Sequence, residues 1–316
     1  MNKKTLLSGV KPTGRPHIGN YFGAMRQLVD LQDEYQVYAM AVDYHALISV
    51  HDAKTLHQDL LDLVIDYLAI GINPDKTLIF KQSDVQEHTE LAWIFNCITT
   101  MPWLMRAHAY KDAEAKDKEV NVGLFGYPVL MAADILMYDV DVVPVGKDNK
   151  QHLEMAREIA RKFNSTFQPE FREPQELIMD EVAIVPGTDG QKMSKSYGNT
   201  IPLFATNEEI EKAVMSIVTD SSREKPDHVY AIHKLFKPEA ELAPIYEENK
   251  GKYKVLKEML IADLKKFIKP LREKREQLAG DTDYVLDVLK EGGKRAKMKA
   301  EKKMEKVREV IGVKLY

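Results

Sequence analysis

Two short segments of the chain carry the residue types best suited to handling phosphate groups. The first is Pro12–Asn20 (PTGRPHIGN), in which a Gly- and Pro-rich turn precedes the predicted start of a helix. A helix N-terminus presents unpaired N–H groups and the positive end of the helix dipole, which favours anion binding. Gly19 would let a nucleotide approach the backbone, and His17 and Asn20 share one face of the first turn. The pattern is typical of an anion site, although a surface turn with an incidental histidine fits it equally well.

The second segment is Lys192–Ser196 (KMSKS), in a loop that glycines bound. Its two lysines flank Met193 and Ser194 and could act as a mobile cationic clamp on a leaving pyrophosphate. In phosphoryl and nucleotidyl transfer, most of the catalysis comes from positioning the substrate and stabilising charge. A basic pentapeptide alone is usually a solvated loop, but the two segments together predict a nucleotide site.

Residues 1–200 alternate strand-like and helix-like patterns, and these elements must position both segments. Continuous apolar runs predict buried strands at Thr5–Val10, Val37–Val42, Leu78–Phe80, Val140–Val145 and Val182–Val185. Helices are predicted to begin near His17, to run across Leu56–Leu68, and to begin at Asp148, which starts a capping box. Such alternation is typical of an α/β fold with a doubly wound parallel sheet.

After Pro202 the alternation stops, and the remainder is predicted to be helical and charged. Breaks are predicted at Pro226, Pro238, Pro244 and Pro270, and a last helix over Lys294–Ile311. Residues 290–316 hold 10 Lys or Arg against 4 Glu, so the last helix could contact phosphates. Such a charge run is nevertheless more often a solvated face.

Composition narrows the class of protein further. Apolar residues make up 44% of the 316 residues and charged residues 30%, which is typical of a globular chain and argues against disorder. The formal net charge is −4, so any contact with nucleic acid must come from a local basic patch. Apolar runs are too short for a signal peptide or a membrane span, so we expect a cytoplasmic protein with no membrane partner.

The chain has one cysteine, Cys97, which excludes an internal disulfide and a zinc site built from several cysteines. Cys97 lies in an apolar run with Leu91, Ile94, Phe95 and Ile98. We therefore predict that it is a buried small hydrophobe rather than a reactive thiol. The sequence also contains no cluster of His, Cys and acidic residues suited to a protein-held metal.

The two segments, in this order, resemble the HIGH and KMSKS signatures of the class I aminoacyl-tRNA synthetases. Neither resembles a G-x-G-x-x-G fingerprint or a Walker loop, which disfavours a dehydrogenase or a P-loop enzyme. The chain is most similar to the bacterial tryptophanyl-tRNA synthetases at Ser8–Gly14 (SGVKPTG), Tyr127–Leu136 (YPVLMAADIL) and Val143–Asn149 (VPVGKDN). The resemblance implies a Rossmann-like catalytic domain over residues 1–200, including the KMSKS loop, and a helical anticodon-binding-type domain over residues 201–316.

The resemblance also implies the reaction. L-tryptophan would be activated with ATP to tryptophanyl-adenylate and pyrophosphate, and the acyl group would then move to tRNA(Trp). The tryptophan carboxylate attacks the α-phosphorus in line, so no enzyme nucleophile is needed. ATP as substrate, Mg²⁺, tRNA as partner and a homodimer spanned by one tRNA are implied in the same way.

Individual roles follow from the resemblance as well. Asp134 would accept the indole N–H, although its spacing alone favours an ordinary salt-bridged aspartate; for His45 a structural role is equally compatible. The implied catalytic residues are His17, Asn20, Lys111, Lys192 and Lys195. The implied ATP-binding residues are Lys11, Pro12, Thr13, Gly19, Asn20, Gly146, Lys147, Asp148, Val182, Lys192, Met193, Ser194, Lys195 and Ser196. The implied tryptophan-binding residues are His45, Tyr127, Met131, Asp134, Val143, Val145 and Asn149.

The sequence departs from the family pattern at residues 146–149, which read GKDN where the family usually has GEDQ. Asn149 is one methylene shorter than the usual glutamine, and Lys147 reverses a charge near the implied site. We expect a change of affinity there rather than a loss of activity.

Three other functions stay open. A tyrosyl-tRNA synthetase shares the fold and both signatures, but it would need a second polar partner for the phenol hydroxyl. A small nucleotidyltransferase, such as a pantothenate synthetase, fits the intact KMSKS and the basic tail less well. A non-catalytic RNA-binding paralogue usually loses a signature residue, whereas His17, Lys192 and Lys195 remain here.

Overall fold

A parallel sheet forms the centre of the molecule in a computed structural model, which describes residues 3–115, 119–145, 150–178, 185–219 and 226–316. The strands in these ranges are β1 (Thr5–Val10), β2 (Gln36–Ala41), β3 (Thr77–Lys81), β4 (Val142–Val145) and β5 (Gln175–Ile178). Their order is β3-β2-β1-β4-β5, and every neighbouring pair is parallel. The chain winds outward from β1 in both directions, which confirms the predicted Rossmann-like, doubly wound α/β fold.

The sequence predicts four of the five strands in the described ranges. β1 has the predicted bounds, and β2, β3 and β4 differ from prediction by one or two residues at their ends. The pattern does not predict β5, which pairs only with β4 in the described sheet and begins with the polar Gln175 and Glu176. The strand predicted at Val182–Val185 falls on residues 182–184, outside the described residues, and on Val185, which is not in a strand.

Helices cover both faces of the sheet. Those of the first part are α1 (Ile18–Asn20), α2 (Arg26–Leu31), α3 (Asp43–Ala46), α4 (Ala53–Ala69), α5 (Glu87–Ile98), α6 (Met101–Leu104), α7 (His108–Ala115), α8 (Val122–Met137) and α9 (Lys150–Thr166). A π-helical turn over Tyr21–Met25 joins α1 to α2. The predicted start near His17 and the helix across Leu56–Leu68 are confirmed, whereas the predicted start at Asp148 lies outside the described residues.

Alternate residues of each strand pack into different cores. Leu6 of β1 belongs to the core that includes α4 and the helix at Tyr253–Ala279, and Leu7 belongs to the core that includes α5, α8 and the helix at Thr282–Val310. This alternation of side chains follows from the pleat of a strand. It explains why β1 and β2 read as continuous apolar runs.

The later helices are α10 (Asn207–Met215), α11 (Asp227–His233), α12 (Glu239–Glu248), α13 (Tyr253–Ala279) and α14 (Thr282–Val310). Pro226 and Pro238 precede α11 and α12, as predicted. The predicted breaks at Pro244 and Pro270 are wrong, because these residues lie inside α12 and α13. A proline inside a helix costs about 3 kcal/mol, and burial of the apolar side of α13 offsets that cost.

The last helix begins at Thr282 rather than at the predicted Lys294. Gly292 and Gly293 disfavour a helix by intrinsic propensity, which is why the sequence pattern places the start after them. In the structure they let α14 pack directly on β3. A Cβ at Gly292 would lie 1.8 Å from the carbonyl oxygen of Ile79, so a larger residue does not fit there.

The predicted burial of Cys97 is wrong, because its side chain is exposed. α5 packs Leu91 and Phe95 into the core, while Trp93 on another side of the helix is 69% exposed. α5 is thus apolar on two sides, and only one of them is covered by the described residues. No helix among the described residues is both long and apolar enough to cross a bilayer.

Candidate active site

The first phosphate-handling segment links the carboxyl end of β1 to α1. His17 is the N-cap residue of α1, and its Nδ1 accepts a hydrogen bond from the Asn20 N–H at 3.2 Å. In return, Asn20 Oδ1 accepts a hydrogen bond from the His17 N–H at 3.1 Å. This capping box fixes the two side chains together at the helix N-terminus, as their spacing predicts.

The protonation of His17 follows from these contacts. Because Nδ1 accepts a hydrogen bond, the proton of a neutral imidazole must be on Nε2. Burial, and next the charge of Lys195, lower the pKa of His17 to about 4, so the ring is neutral at pH 7. A Cβ at Gly19 would lie 2.9 Å from His17 Nδ1, so this glycine makes room for the ring itself.

The KMSKS segment folds directly onto the first segment. Lys195 Nζ donates hydrogen bonds to the carbonyl oxygens of Thr13 at 2.6 Å and of Gly14 at 2.9 Å. Met193 is buried, and it lies 3.4 Å from the position of a Cβ at Gly19. The structure thus brings together two segments that the sequence predicts to share one substrate.

Asn199 holds the KMSKS loop in place, and the sequence analysis missed it. Its Oδ1 accepts a hydrogen bond from the Ser194 N–H at 2.8 Å. Its Nδ2 donates to Lys192 O at 3.2 Å and to Asp189 Oδ1 at 2.7 Å. A buried asparagine just after the signature is the signal that could have identified it, because a buried amide needs partners.

Asp134 of α8 is 2% exposed and is surrounded by polar partners. His45 Nε2 lies 2.9 Å from Oδ2, and Gln82 Nε2 donates to both oxygens at 2.8 and 2.9 Å. His88 Nδ1 lies 2.6 Å from Oδ1, a close polar contact that is bent away from ideal hydrogen-bond geometry. Burial raises the pKa of Asp134, but its contacts with His88 and His45 together hold that pKa below its usual value.

The sequence analysis missed Gln82 and His88. Gln82 directly follows β3, and the carboxyl ends of parallel strands are where ligand-binding residues collect. That position is the available signal for Gln82. His88 lies in the first turn of α5, and nothing in its local sequence connects it with α8.

A second group of side chains adjoins Asp134 through His45. The ring of His45 packs edge-on to Tyr127 with centroids 6.3 Å apart, and the Tyr127 hydroxyl lies 2.5 Å from His152 Nε2. Burial is the largest cause that lowers the pKa of His152, and the charges of His108, His45 and Lys11 lower it further. The side chain of Lys11 is accessible to solvent, but the surrounding protein partly desolvates its ammonium group. This desolvation lowers the pKa of Lys11. His152 is another residue that the sequence analysis missed.

The remaining predicted residues divide into two sets. Met131 and Val143 are partly buried against the core of α8, Pro12 is buried, and Lys111 is exposed on α7. The predictions for Gly146, Lys147, Asp148, Asn149 and Val182, and for the side chain of Val145, lie outside the described residues. Within the described ranges, no group of three or more His, Cys, Asp or Glu side chains could hold a metal ion.

Comparisons with known proteins identify the family of the chain. Residues 1–278 match the family model described as tRNA synthetases class I (W and Y). The chain is 50% identical to the tryptophan–tRNA ligase of Fusobacterium nucleatum, over 98% of each chain. It is 44% identical to that of Rhodopirellula baltica, over 98% of this chain and 99% of the relative.

A solved structure has the same fold over almost the whole length. The tryptophanyl-tRNA synthetase of Campylobacter jejuni complexed with ADP and tryptophan superposes with a TM-score of 0.91. It is 42% identical, over 98% of this chain and 99% of that chain. The resemblance predicted from the signature segments is confirmed, and the chain belongs to the class I tRNA synthetases of the tryptophan and tyrosine family.

Proposed function

We propose that the protein is a tryptophan–tRNA ligase that forms tryptophanyl-adenylate from L-tryptophan and ATP and transfers the acyl group to tRNA(Trp). The observation that carries the proposal is the contact of Lys195 with the backbone of Thr13 and Gly14, which joins the two signature segments. The curated relatives at 50 and 44% identity, both named tryptophan–tRNA ligase, support the choice of amino acid.

In the activation step, the Nε2–H of neutral His17 and the N-terminus of α1 would stabilise charge at the α-phosphate. Asn20 fixes the histidine through the capping box. Lys192, Lys195 and Lys111 would neutralise the departing pyrophosphate. ATP would enter with Mg²⁺, which shields the phosphate charges when bound.

For the amino acid, Asp134 would accept the indole N–H, and Tyr127, Met131 and Val143 would line the pocket. A site built to receive a hydrogen bond rejects an analogue that lacks it by about 10⁴–10⁵-fold. The buried, ionised Asp134 supports this role, because a phenylalanine ring would leave its charge without that donor. On the family resemblance we extend the pocket to Val145 and Asn149, and the ATP site to Gly146, Lys147, Asp148 and Val182.

We also propose that the protein is a homodimer. Its interface would include the exposed apolar residues of α5 and α6, namely Trp93, Cys97, Met101 and Met105. Contiguous exposed apolar side chains of this size usually mark an interaction surface.

We propose that residues 201–316 act as the anticodon-binding-type unit and that α14 contacts phosphates of tRNA(Trp). We also propose that the protein is cytoplasmic. Some positively charged side chains of α14 form ion pairs within the chain. Lys303, for example, lies 2.6 Å from Asp139 and 2.9 Å from Glu170. Contacts with tRNA would therefore fall to exposed lysines such as Lys302 and Lys306.

The test is ATP–pyrophosphate exchange with tryptophan, tyrosine and phenylalanine, on wild type, Asp134→Asn and the exposed control Asp287→Asn. We expect exchange with tryptophan alone, lost in Asp134→Asn and kept in the control. Exchange with tyrosine instead of tryptophan would show that tyrosine is the substrate. The absence of exchange with all three would overturn the proposal in favour of a non-catalytic paralogue.

A further inference from the structure

A fully buried histidine connects the proposed indole acceptor to a tyrosine four residues later, at the C-cap of the same helix. His88 is 0% exposed; its Nδ1 lies 2.6 Å from Asp134 Oδ1, and its Nε2 lies 2.8 Å from the Tyr138 hydroxyl. Asp134 and Tyr138 are four residues apart, the spacing at which side chains of a helix are neighbours. One imidazole from α5 therefore bridges the two.

Tyr138 is itself held firmly. Its ring packs against Tyr38, with centroids 5.1 Å apart, and against Phe80 at 5.6 Å. Lys299 of α14 donates a hydrogen bond to the Tyr38 hydroxyl and so anchors this aromatic group. Burial is the largest cause that raises the pKa of Tyr138 well above its usual value, and the charge of Asp134 raises it further. The Tyr138 hydroxyl therefore keeps its proton.

The Tyr138 hydroxyl beside Nε2 can donate to this nitrogen or accept from it, so the direction of this hydrogen bond depends on where the proton of His88 lies. When the Tyr138 O–H donates to Nε2, the proton of a neutral His88 must be on Nδ1, next to Asp134. The two carboxylate oxygens then face different histidines, His88 at Oδ1 and His45 at Oδ2. Rotation of the carboxylate is restricted from both sides.

We propose that His88 and Tyr138 are positioning residues for tryptophan recognition: Tyr138 sets the tautomer of His88, and His88 orients the Asp134 carboxylate toward the indole N–H. This inference rests on the proposed role of Asp134. The order Tyr138, His88, Asp134 parallels other sites in which an outer hydrogen bond fixes the tautomer of a histidine that acts on an inner group.

Two amide variants separate the two contacts of His88. In His88→Asn, the side-chain N–H₂ can occupy the position of Nδ1 and keep a donor to Asp134. In His88→Gln, the amide reaches the position of Nε2 and keeps only the contact with Tyr138. We expect the KM for tryptophan to rise about 10–100-fold in His88→Gln, the value of one hydrogen bond to a charged group. In His88→Asn it should stay within about threefold of wild type, and the KM for ATP should change little in both.

Tyr138→Phe gives an independent test, because it keeps the aromatic packing and removes only the hydroxyl. We expect the ¹⁵N spectrum of His88 to change from the Nδ1–H tautomer to a mixture, and the preference for tryptophan over phenylalanine in kcat/KM to fall. A purely structural role would leave both readouts unchanged in folded protein. Thermal melting establishes that each variant is folded.

The outcomes distinguish this inference from the proposed function. Loss of tryptophan exchange in Asp134→Asn, with normal tryptophan KM in His88→Gln and Tyr138→Phe, would overturn the positioning role alone. Equal increases in KM in His88→Asn and His88→Gln, with an unchanged tautomer in Tyr138→Phe, would also overturn it. Wild-type protein that does not use tryptophan would overturn the proposed function first.

Discussion

A neutral His17 can donate a hydrogen bond to a ligand only if its proton is on Nε2. The capping bond to Asn20 fixes this tautomer, and burial with the nearby Lys195 keeps the ring uncharged. A charged imidazole would attract phosphate more strongly, but it would also repel the lysine that lies against the same turn. Gly19 completes the arrangement, since a side chain there would collide with the ring.

Replacing His17 should therefore slow the chemical step more than binding. We expect His17→Ala to lower kcat for tryptophan-dependent exchange by about 10²–10³-fold, the usual cost of removing one donor to developing charge. The KM for tryptophan should change little. The exposed His57→Ala is the matched control, and a loss of exchange confined to KM would contradict the assigned role.

The lowered pKa of His17 also predicts a pH dependence of stability. Between about pH 4 and the ordinary histidine pKa of about 6.5, the unfolded chain binds a proton that the folded protein does not. The contribution of neutral His17 to the free energy of unfolding is therefore complete above about pH 6.5 and is lost as the pH falls towards about 4. Urea unfolding of wild type and His17→Asn, a residue that also caps helices, should show a stability difference that changes only in this window. A constant difference from pH 4 to 8 would contradict the assignment.

Helices α4 and α13 are joined by ion pairs across the two halves of the chain. Arg275 of α13 donates to Asp66 and to Asp62 of α4, at 2.6 Å each. Asp66 is almost fully buried, and burial raises its pKa to about 6 in spite of the neighbouring guanidinium. Desolvation thus changes the pKa of Asp66 more than the ion pair with Arg275 does, as is common for buried charges.

The ionisation of Asp66 should cost stability. The folded protein keeps this proton up to about pH 6, whereas the unfolded chain loses it near the ordinary value of 3.8, so stability falls as the pH rises through that interval. Asp66→Asn should remove this dependence and gain up to about 3 kcal/mol relative to wild type between pH 4 and 7. Denaturant unfolding at several pH values measures the difference, with the exposed Asp283→Asn as control. A difference between Asp66→Asn and wild type that stays constant over this interval would show that Arg275 balances the charge fully.

In the part of the chain that the structure describes, the last helix covers one apolar surface, while the exposed side of α5 stays uncovered. α14 lies against β3, α5 and α8, and its Ala296, Ala300 and Met304 are fully buried. The exposed side of α5, with Trp93 and Cys97, has no such cover within the described residues. A second copy of the chain would complete it, which is why we place the dimer interface there.

A charge on that surface should dissociate the proposed dimer. We expect Trp93→Glu to sediment at the mass of one 36.1 kDa chain and the wild type at twice that mass, because burying an unpaired carboxylate opposes association. Tyr284→Glu, an exposed position on α14, is the control. Equal sedimentation of wild type and Trp93→Glu would remove α5 from the interface.

Local patterns were sufficient for β1 to β4, for the start of a helix near His17 and for the family, because apolar runs and turn-forming residue types can be recognised among neighbouring residues. They were insufficient for β5, whose edge position leaves it half polar, and for the start of α14, where Gly292 is required by the approach of β3. The site divides in the same way. His17 and Lys195 are predicted from their signature segments and Asp134 from the family resemblance, whereas Gln82 reaches Asp134 across 52 residues of sequence and His88 comes from a different helix. Which polar groups meet at the end of the sheet, and which apolar side of α5 is covered, depend on packing between distant elements.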